Sequence, residues 1–507
     1  MSDKGQDKRP EILRMKPMEY VAGQEIESDV LRPVVFSSDN KFARFELEPK
    51  GHLSASSSIS FSIVPNAGVT RAFFPVNIGV HSLIDRAVLR TSSGRVICDI
   101  EDFGNFSSLR SLIKDNNTQT QREQYLSGRD MDYELIYSDK NNVKADKYGL
   151  SNGREYTQSG ILDGTTAGSY GKAQVAGLGH HNFQYITTQD NRTGLSPSFS
   201  IALHDLFPFL ANSQNRLPLF MFENDRVQIE LYFSDVKNVR VCQAKKVANT
   251  PADEVTNLDY LIDQTSLELI SDHIFYPTQS LQQMKDAEPS QMGYMDYILS
   301  KQTIVSDSGD NTKDTAQTNI RNIGGSSRIV TRVFAGYVPT GNQENTFLNK
   351  YKALGMSQPR VADRNANRQS GQLESNLFFN ERFLFPLDIK NNSRHFFNLY
   401  DSSKRHYHVP REVYSDSGNA LLVADADRGY EGHEQDQLYG SMFWQGFRLN
   451  RGERVGSKGI DIHMNARGVN GTGSGLSDGT YTQVTYQEVL RTLTMDKNTG
   501  QIEVFYQ

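Results

Sequence analysis

From Arg226 to Phe233 the chain alternates polar and apolar residues at every position. Val227, Ile229, Leu231 and Phe233 fall on one side, and Arg226, Gln228, Glu230 and Tyr232 on the other. A two-residue period belongs to a pleated strand, whose successive side chains point to opposite faces. One face of such a strand must be buried while the other is wet or lies at an interface. Val227, Ile229, Leu231 and Phe233 are therefore candidate core positions of a β-sheet domain. The same period returns elsewhere: Ala43, Phe45 and Leu47 alternate with Arg44, Glu46 and Glu48, and Ile59, Phe61 and Ile63 with more polar neighbours. Ile329, Thr331 and Val333, and later Ile460, Ile462 and Met464, repeat it in the second half.

Turn chemistry separates these runs. Ser92-Ser93-Gly94 sits between two apolar stretches in 87–100, where glycine supplies the positive φ of a hairpin turn. Asp496-Lys497-Asn498-Thr499-Gly500 joins Leu493-Thr494-Met495 to Ile502-Glu503-Val504 in the same way. Helical spacing is scarce. Leu109, Leu112 and Ile113 predict about two turns over 107–114 behind a serine cap, and Phe347, Leu348, Tyr351 and Leu354 predict a short helix after Asn345. Many short strands, long polar loops at 115–200, 303–327, 356–375, 410–440 and 466–480, and no βαβ rhythm favour two β-sandwiches or barrels.

A chain of 507 residues exceeds the size at which one core stops growing. The expected division is an arm over 1–30, broken by Pro10 and Pro17, a first domain over 31–237 and a second over 238–507. Aromatic residues make up 10%, nearly all Phe and Tyr, which suits half-buried strands. A mean hydropathy of -0.56 suits extensive loop surface.

Charge and cysteine content narrow the function. With 54 basic against 60 acidic residues, the net charge is -6 and the signs are interspersed. A chain built to neutralise phosphates needs a basic excess, so sequence-specific nucleic-acid binding is not expected. Cys98 and Cys242 are too few for a disulfide framework or a zinc site and are expected to be buried, reduced thiols. The N-terminal residues show no signal-peptide stretch, and no apolar run reaches 18 residues, so no transmembrane segment is expected. Five Asn-x-Ser/Thr sequons, at Asn105, Asn116, Asn191, Asn391 and Asn470, are then read as ordinary loop residues.

Chemical motifs fail on context. Gly475-Leu476-Ser477-Asp478-Gly479 has the letters of a nucleophile elbow but sits in a glycine-rich loop rather than at a strand-to-helix turn. His180-His181, His406 with His408, and His433-Glu434 lack converging further ligands. Asp425, Asp427, Glu431 and Glu434 do not have EF-hand spacing. No catalytic residue, cofactor or metal is expected, and a structural role is favoured over an enzyme.

Three stretches resemble the double jelly-roll major capsid proteins of polinton-like viruses and virophages, of the adenovirus and giant-virus capsid lineage. They are Asn77 to Leu89, the run from Leu206-Phe207-Pro208-Phe209-Leu210 through Leu217-Pro218-Leu219 to Val227–Phe233, and Glu488 to Leu493 with Gly500 to Val504. The resemblance implies an all-β fold of two consecutive eight-stranded jelly-roll barrels with long loops and a few short helices. It further implies a homotrimer that tiles an icosahedral capsid in the virion, with neighbouring capsomers and with penton and minor capsid proteins as partners. A glycan-binding or receptor-binding β-sandwich is the other reading, carried by Tyr148, Tyr156, Tyr170 and Tyr185 in the long loop.

Overall fold

The computed structural model describes residues 25–65, 79–113, 126–127, 198–211, 217–234, 260–275, 291–306, 317–339, 372–389, 392–403, 444–467, 479–496 and 502–507. The first sandwich is built from β1 (Glu25–Leu31), β2 (Val35–Phe36), β3 (Phe42–Glu46), β4 (His52–Leu53), β5 (Ser58–Pro65), β6 (Ile84–Thr91), β7 (Val96–Glu101), β8 (Ser198–Ala202), β9 (Val227–Phe233), β10 (Tyr260–Ile262) and β11 (Glu268–Phe275). One sheet runs β1-β11-β5-β8 and the facing sheet β3-β9-β6-β7, with the short β2, β4 and β10 at their margins.

The second sandwich contains β12 (Gln291–Ser306), β13 (Gln317–Gly324), β14 (Ile329–Pro339), β15 (Gln372–Phe379), β16 (Arg382–Phe383), β17 (Trp444–Arg454), β18 (Ile460–Arg467), β19 (Gly479–Met495) and β20 (Ile502–Tyr506). Its sheets run β12-β19-β14-β17 and β13-β18-β15-β16, and β20 adds to β19. Ranked along the chain, the eight principal strands of each sandwich take the orders 1-8-3-6 and 2-7-4-5, all antiparallel. That double order, occurring twice, makes each half an eight-stranded jelly roll, in which the first and last strands lie side by side.

Two expected boundaries move. β10 and β11 lie beyond residue 237, yet β11 pairs with β1, β4 and β5 and closes the first sandwich. The chain passes from one sandwich to the other between Phe275 and Gln291, because a jelly roll needs its last strand beside its first. The end of the expected arm is also structured, since Glu25–Leu31 pairs with β11 over its whole length. Residues 1–24 lie outside the described residues.

The alternating residues are placed by this geometry. Val227, Ile229, Leu231 and Phe233 are buried between the sheets of the first sandwich, with Phe45 and Leu89 as neighbours in the same core. On the opposite face of β9, Glu230 is also buried, because Arg44 of β3 and Arg90 of β6 reach over it at 2.8 and 2.7 Å. One carboxylate thereby ties three neighbouring strands together across a face that is otherwise polar.

Turns follow their chemistry. Gly94 adopts a φ of 90° between β6 and β7, and Asp225 accepts from the Ser92 hydroxyl and from both the amide and hydroxyl of Ser93. Gly51, at a φ of 56°, brings β4 against β11, and a β-carbon there would lie 2.6 Å from the Ile274 carbonyl oxygen. Gly51→Ala combines left-handed backbone strain with a contact to immovable backbone and is expected to cost about 2 kcal/mol or more. Urea unfolding of the variant checks this.

The helix expected over 107–114 starts earlier, as α1 (Phe103–Ile113). Asp102, at a φ of 50°, turns the chain from β7 into it. Gly104 and Asn105 have weak helix propensity, but burial of Phe103 and Phe106 outweighs it. Two more helices, α2 (Leu203–Leu206) and α3 (Asn392–Ser403), flank the sheets. The helix expected after Asn345 falls outside the described residues.

Candidate functional site: the junction between the sandwiches

Strands β12 and β19 are 16 and 17 residues long and pair with each other from Gln291↔Thr494 to Ser306↔Gly479. This is about three times the usual strand length. Side chains two apart share a face, so Tyr294 and Asp296 lie on one side of this ribbon and Tyr297 on the other. The first sandwich contacts both sides, with β7 against one and α1 against the other.

On the β7 side, the Tyr294 hydroxyl donates to the Ile97 carbonyl at 2.6 Å. Arg491, paired with Tyr294 across the ribbon, donates to the same carbonyl and to that of Val96, each at 2.9 Å. Its guanidinium also meets the Asp296 carboxylate at 2.6 Å and stacks 4.8 Å from the Tyr506 ring of β20. The Cys98 thiol donates to the other Asp296 oxygen at 3.2 Å. Among the described residues β7 is the last strand in its sheet, and the Val96 and Ile97 carbonyls are met by donors from the second sandwich.

Burial sets the electrostatics of this cluster. It pushes the Asp296 carboxyl above its usual value, against the pull of Arg491 and the donated hydrogen bonds. The Cys98 thiol is driven far up by burial and by the adjoining carboxylate, so it is an unreactive neutral donor. Tyr294 is raised for the same first reason and stays protonated.

On the α1 side, Phe106 is fully buried between Tyr297 and Tyr486, with ring centroids 4.9 and 5.2 Å away in edge-on geometry. The Tyr486 hydroxyl donates to the Asp102 carbonyl at 2.8 Å, and Lys301 meets the Asp102 carboxylate at 2.7 Å. Beneath the rings, buried Glu488 accepts from the Tyr297 hydroxyl at 3.0 Å and the Thr331 hydroxyl at 2.5 Å and faces Arg332 at 3.3 Å. The single tryptophan, Trp444, packs against Tyr486 and fills the space that the missing side chain of Gly336 leaves open.

The arrangement joins the two sandwiches on both faces of the ribbon, and its buried charges, Asp296 with Arg491 and Glu488 with Arg332, are matched to one another. Val227, Ile229, Leu231 and Phe233 are not part of it, being core residues of the first sandwich. Tyr294, Asp296 and Tyr297 escaped the sequence reading, and Glu488 and Arg491 entered it only as part of a stretch that carries the resemblance. The available signal was length: 480–495 is rich in Thr, Tyr, Val and Leu and holds no Gly, Pro, Asn or Asp to end a strand, a stretch far longer than the usual strand. Ser477, His180, His181, His406, His408, His433, the acidic group at 425–434 and the four loop tyrosines lie outside the described residues. Among the described residues no three His, Cys, Asp or Glu side chains gather to hold a metal, and no helix is long and apolar enough to cross a membrane.

No family model matches the chain, and no curated protein matches it by sequence. Solved structures do. PBCV-1 VP54, as fitted into a cryo-EM reconstruction of the virophage Sputnik, aligns over 98% of this chain and 100% of its own, with a TM-score of 0.53 at 9% identity. The quasi-atomic model of the PBCV-1 virus capsid gives the same figures. The mavirus major capsid protein aligns over 99% of this chain and 93% of its own, with a TM-score of 0.44 at 11% identity. At such identities the first two alignments, which cover 98% of the chain, establish a shared fold.

Proposed function

We propose that this chain is a major capsid protein, three copies of which form a pseudo-hexagonal capsomer that tiles the faces of an icosahedral double-stranded DNA virus shell. The observation that carries this reading is the pair of jelly rolls locked in tandem, a fold shared end to end with a protein of the PBCV-1 virus capsid. A rigid two-barrel protomer suits the role. Three such protomers present six upright barrels around a closed threefold axis, and their rim can repeat contacts sideways without limit. In this reading its place is the virion capsid, its partners are its own copies, neighbouring capsomers, and penton and minor capsid proteins, and it has no catalytic task. Closing the sheets face to face also limits exposed strand edges at the high concentrations of assembly.

The test is solution mass together with negative-stain imaging of the purified chain. Particles of about three times 57.1 kDa with a hexagonal outline are expected. A chain that stays monomeric at high concentration would overturn the proposal.

A further inference from the structure

We propose that β20 is a strap that keeps the two sandwiches joined, and that its Tyr506 ring, held in turn by Arg328, keeps Arg491 on the edge of β7. Among the described residues β20 pairs with a single strand, β19, from Arg491↔Tyr506 to Met495↔Ile502. It lies on the edge of β19 opposite β12, an edge that β14 occupies only as far as Val330↔Val489. The Gln507 carbonyl accepts from the Ile329 N–H at 2.9 Å, and the Gln507 N–H donates to the Leu490 carbonyl at 3.2 Å, so the two strands follow one another along it. Ile502 is buried and Val504 packs against the core, but Phe505 and Tyr506 are 44% and 40% exposed. Five register pairs with one neighbour and two apolar anchors make a strand from the less stable part of a fold.

Register sets Tyr294, Arg491 and Tyr506 abreast on β12, β19 and β20. Side chains in register share a face, here the one that meets β7. The row continues at both ends, with the Phe209 ring of the first sandwich 5.0 Å from that of Tyr294, and the Arg328 guanidinium 4.3 Å from the Tyr506 ring. The edges of the Arg491 guanidinium are engaged by the Val96 and Ile97 carbonyls and by Asp296. Its Nε has no hydrogen-bond partner among the described residues. The Tyr506 ring, 4.8 Å away, presents its electron-rich face to this cation. Arg328 ties the same ring to the turn before β14, where its N–H donates to the Gly325 carbonyl.

Without the ring, water reaches the guanidinium and a long side chain regains its rotamers, so the hydrogen bonds into β7 must compete with solvation. Lifting β20 therefore unfastens the β7 side of the junction and leaves the Phe106 side in place. Cys98 lies at the fastened spot, buried and donating to Asp296. Its thiol becomes accessible when that side opens.

The test is the rate at which iodoacetamide labels Cys98 in the folded full chain, read by peptide mass spectrometry and corrected for global unfolding from urea curves. Tyr506→Leu, which keeps apolar cover but removes the ring, is expected to speed labelling about fivefold. Tyr506→Phe keeps the ring face and should stay within about twofold of wild type. Arg328→Met, at a half-buried position on the far side of the ring's contact with Arg491, should speed labelling about two- to threefold. Wild-type labelling in Tyr506→Leu, or equal rates in the Leu and Phe variants, overturns the proposal. If Tyr506→Leu does not fold, Arg328→Met decides, and an unchanged rate there overturns it as well.

Discussion

Arg491→Ala is expected to cost about 3–5 kcal/mol, because it strands the Asp296 carboxylate in a dry junction and removes the donors to the Val96 and Ile97 carbonyls. Breaking one partner of a buried ion pair costs far more than the pair itself contributes. The defect carries a pH signature. Burial already raises the Asp296 carboxyl, and loss of the guanidinium raises it further. A carboxyl raised in the folded state binds its proton more readily there than in the unfolded chain, so stability is regained as the pH falls. The loss is therefore expected to be smaller at pH 5 than at pH 8. Trp444, the single tryptophan, reports on the second sandwich by fluorescence, while circular dichroism follows both. In the variant the two transitions should separate on urea unfolding; coincident, unshifted transitions would refute the assigned role.

Phe106→Ala is the second large effect, expected at about 3–5 kcal/mol from the cavity left between Tyr297 and Tyr486. Phe106→Leu should retain much of the stability, since the side chain at this position contributes apolar filling alone. Phe106 and Arg491 grip opposite faces of one ribbon, so the double variant should depart from additivity. Once either grip is lost, the other has less to hold in place. A thermal-denaturation cycle of the two single variants and the double variant measures the coupling, and strict additivity would show that the two faces act independently.

Much of the fold was legible as pattern. The alternation in 226–233, 42–47, 329–333 and 460–464 reports burial of one face directly, since a side chain's choice of face is fixed by position along a strand. The hairpin at Ser92-Ser93-Gly94 was legible for an equally local reason, as glycine there meets a backbone angle of 90° that other residues resist. The junction was not. Asp296 and Arg491 lie 195 positions apart and look like ordinary polar strand residues until pairing sets β12 beside β19. The start of α1 was hidden as well, because Gly104 and Asn105 argue against a helix and only burial of Phe103 and Phe106 in the folded chain outweighs them.

The amino-acid sequence by itself determined the kind of secondary structure, the face each strand buries and the presence of two β domains, all consequences of interactions between near neighbours. Which strands pair was decided by tertiary structure alone. β11 lies beyond residue 237 yet closes the first sandwich because Leu269 and Ile270 pair with Val30 and Leu31, more than 200 positions away, and pairing partners at that distance leave no periodic trace. The orientation of the two sandwiches was decided in the same way, by a carbonyl edge and a phenyl ring that acquire their partners only when the whole chain is folded.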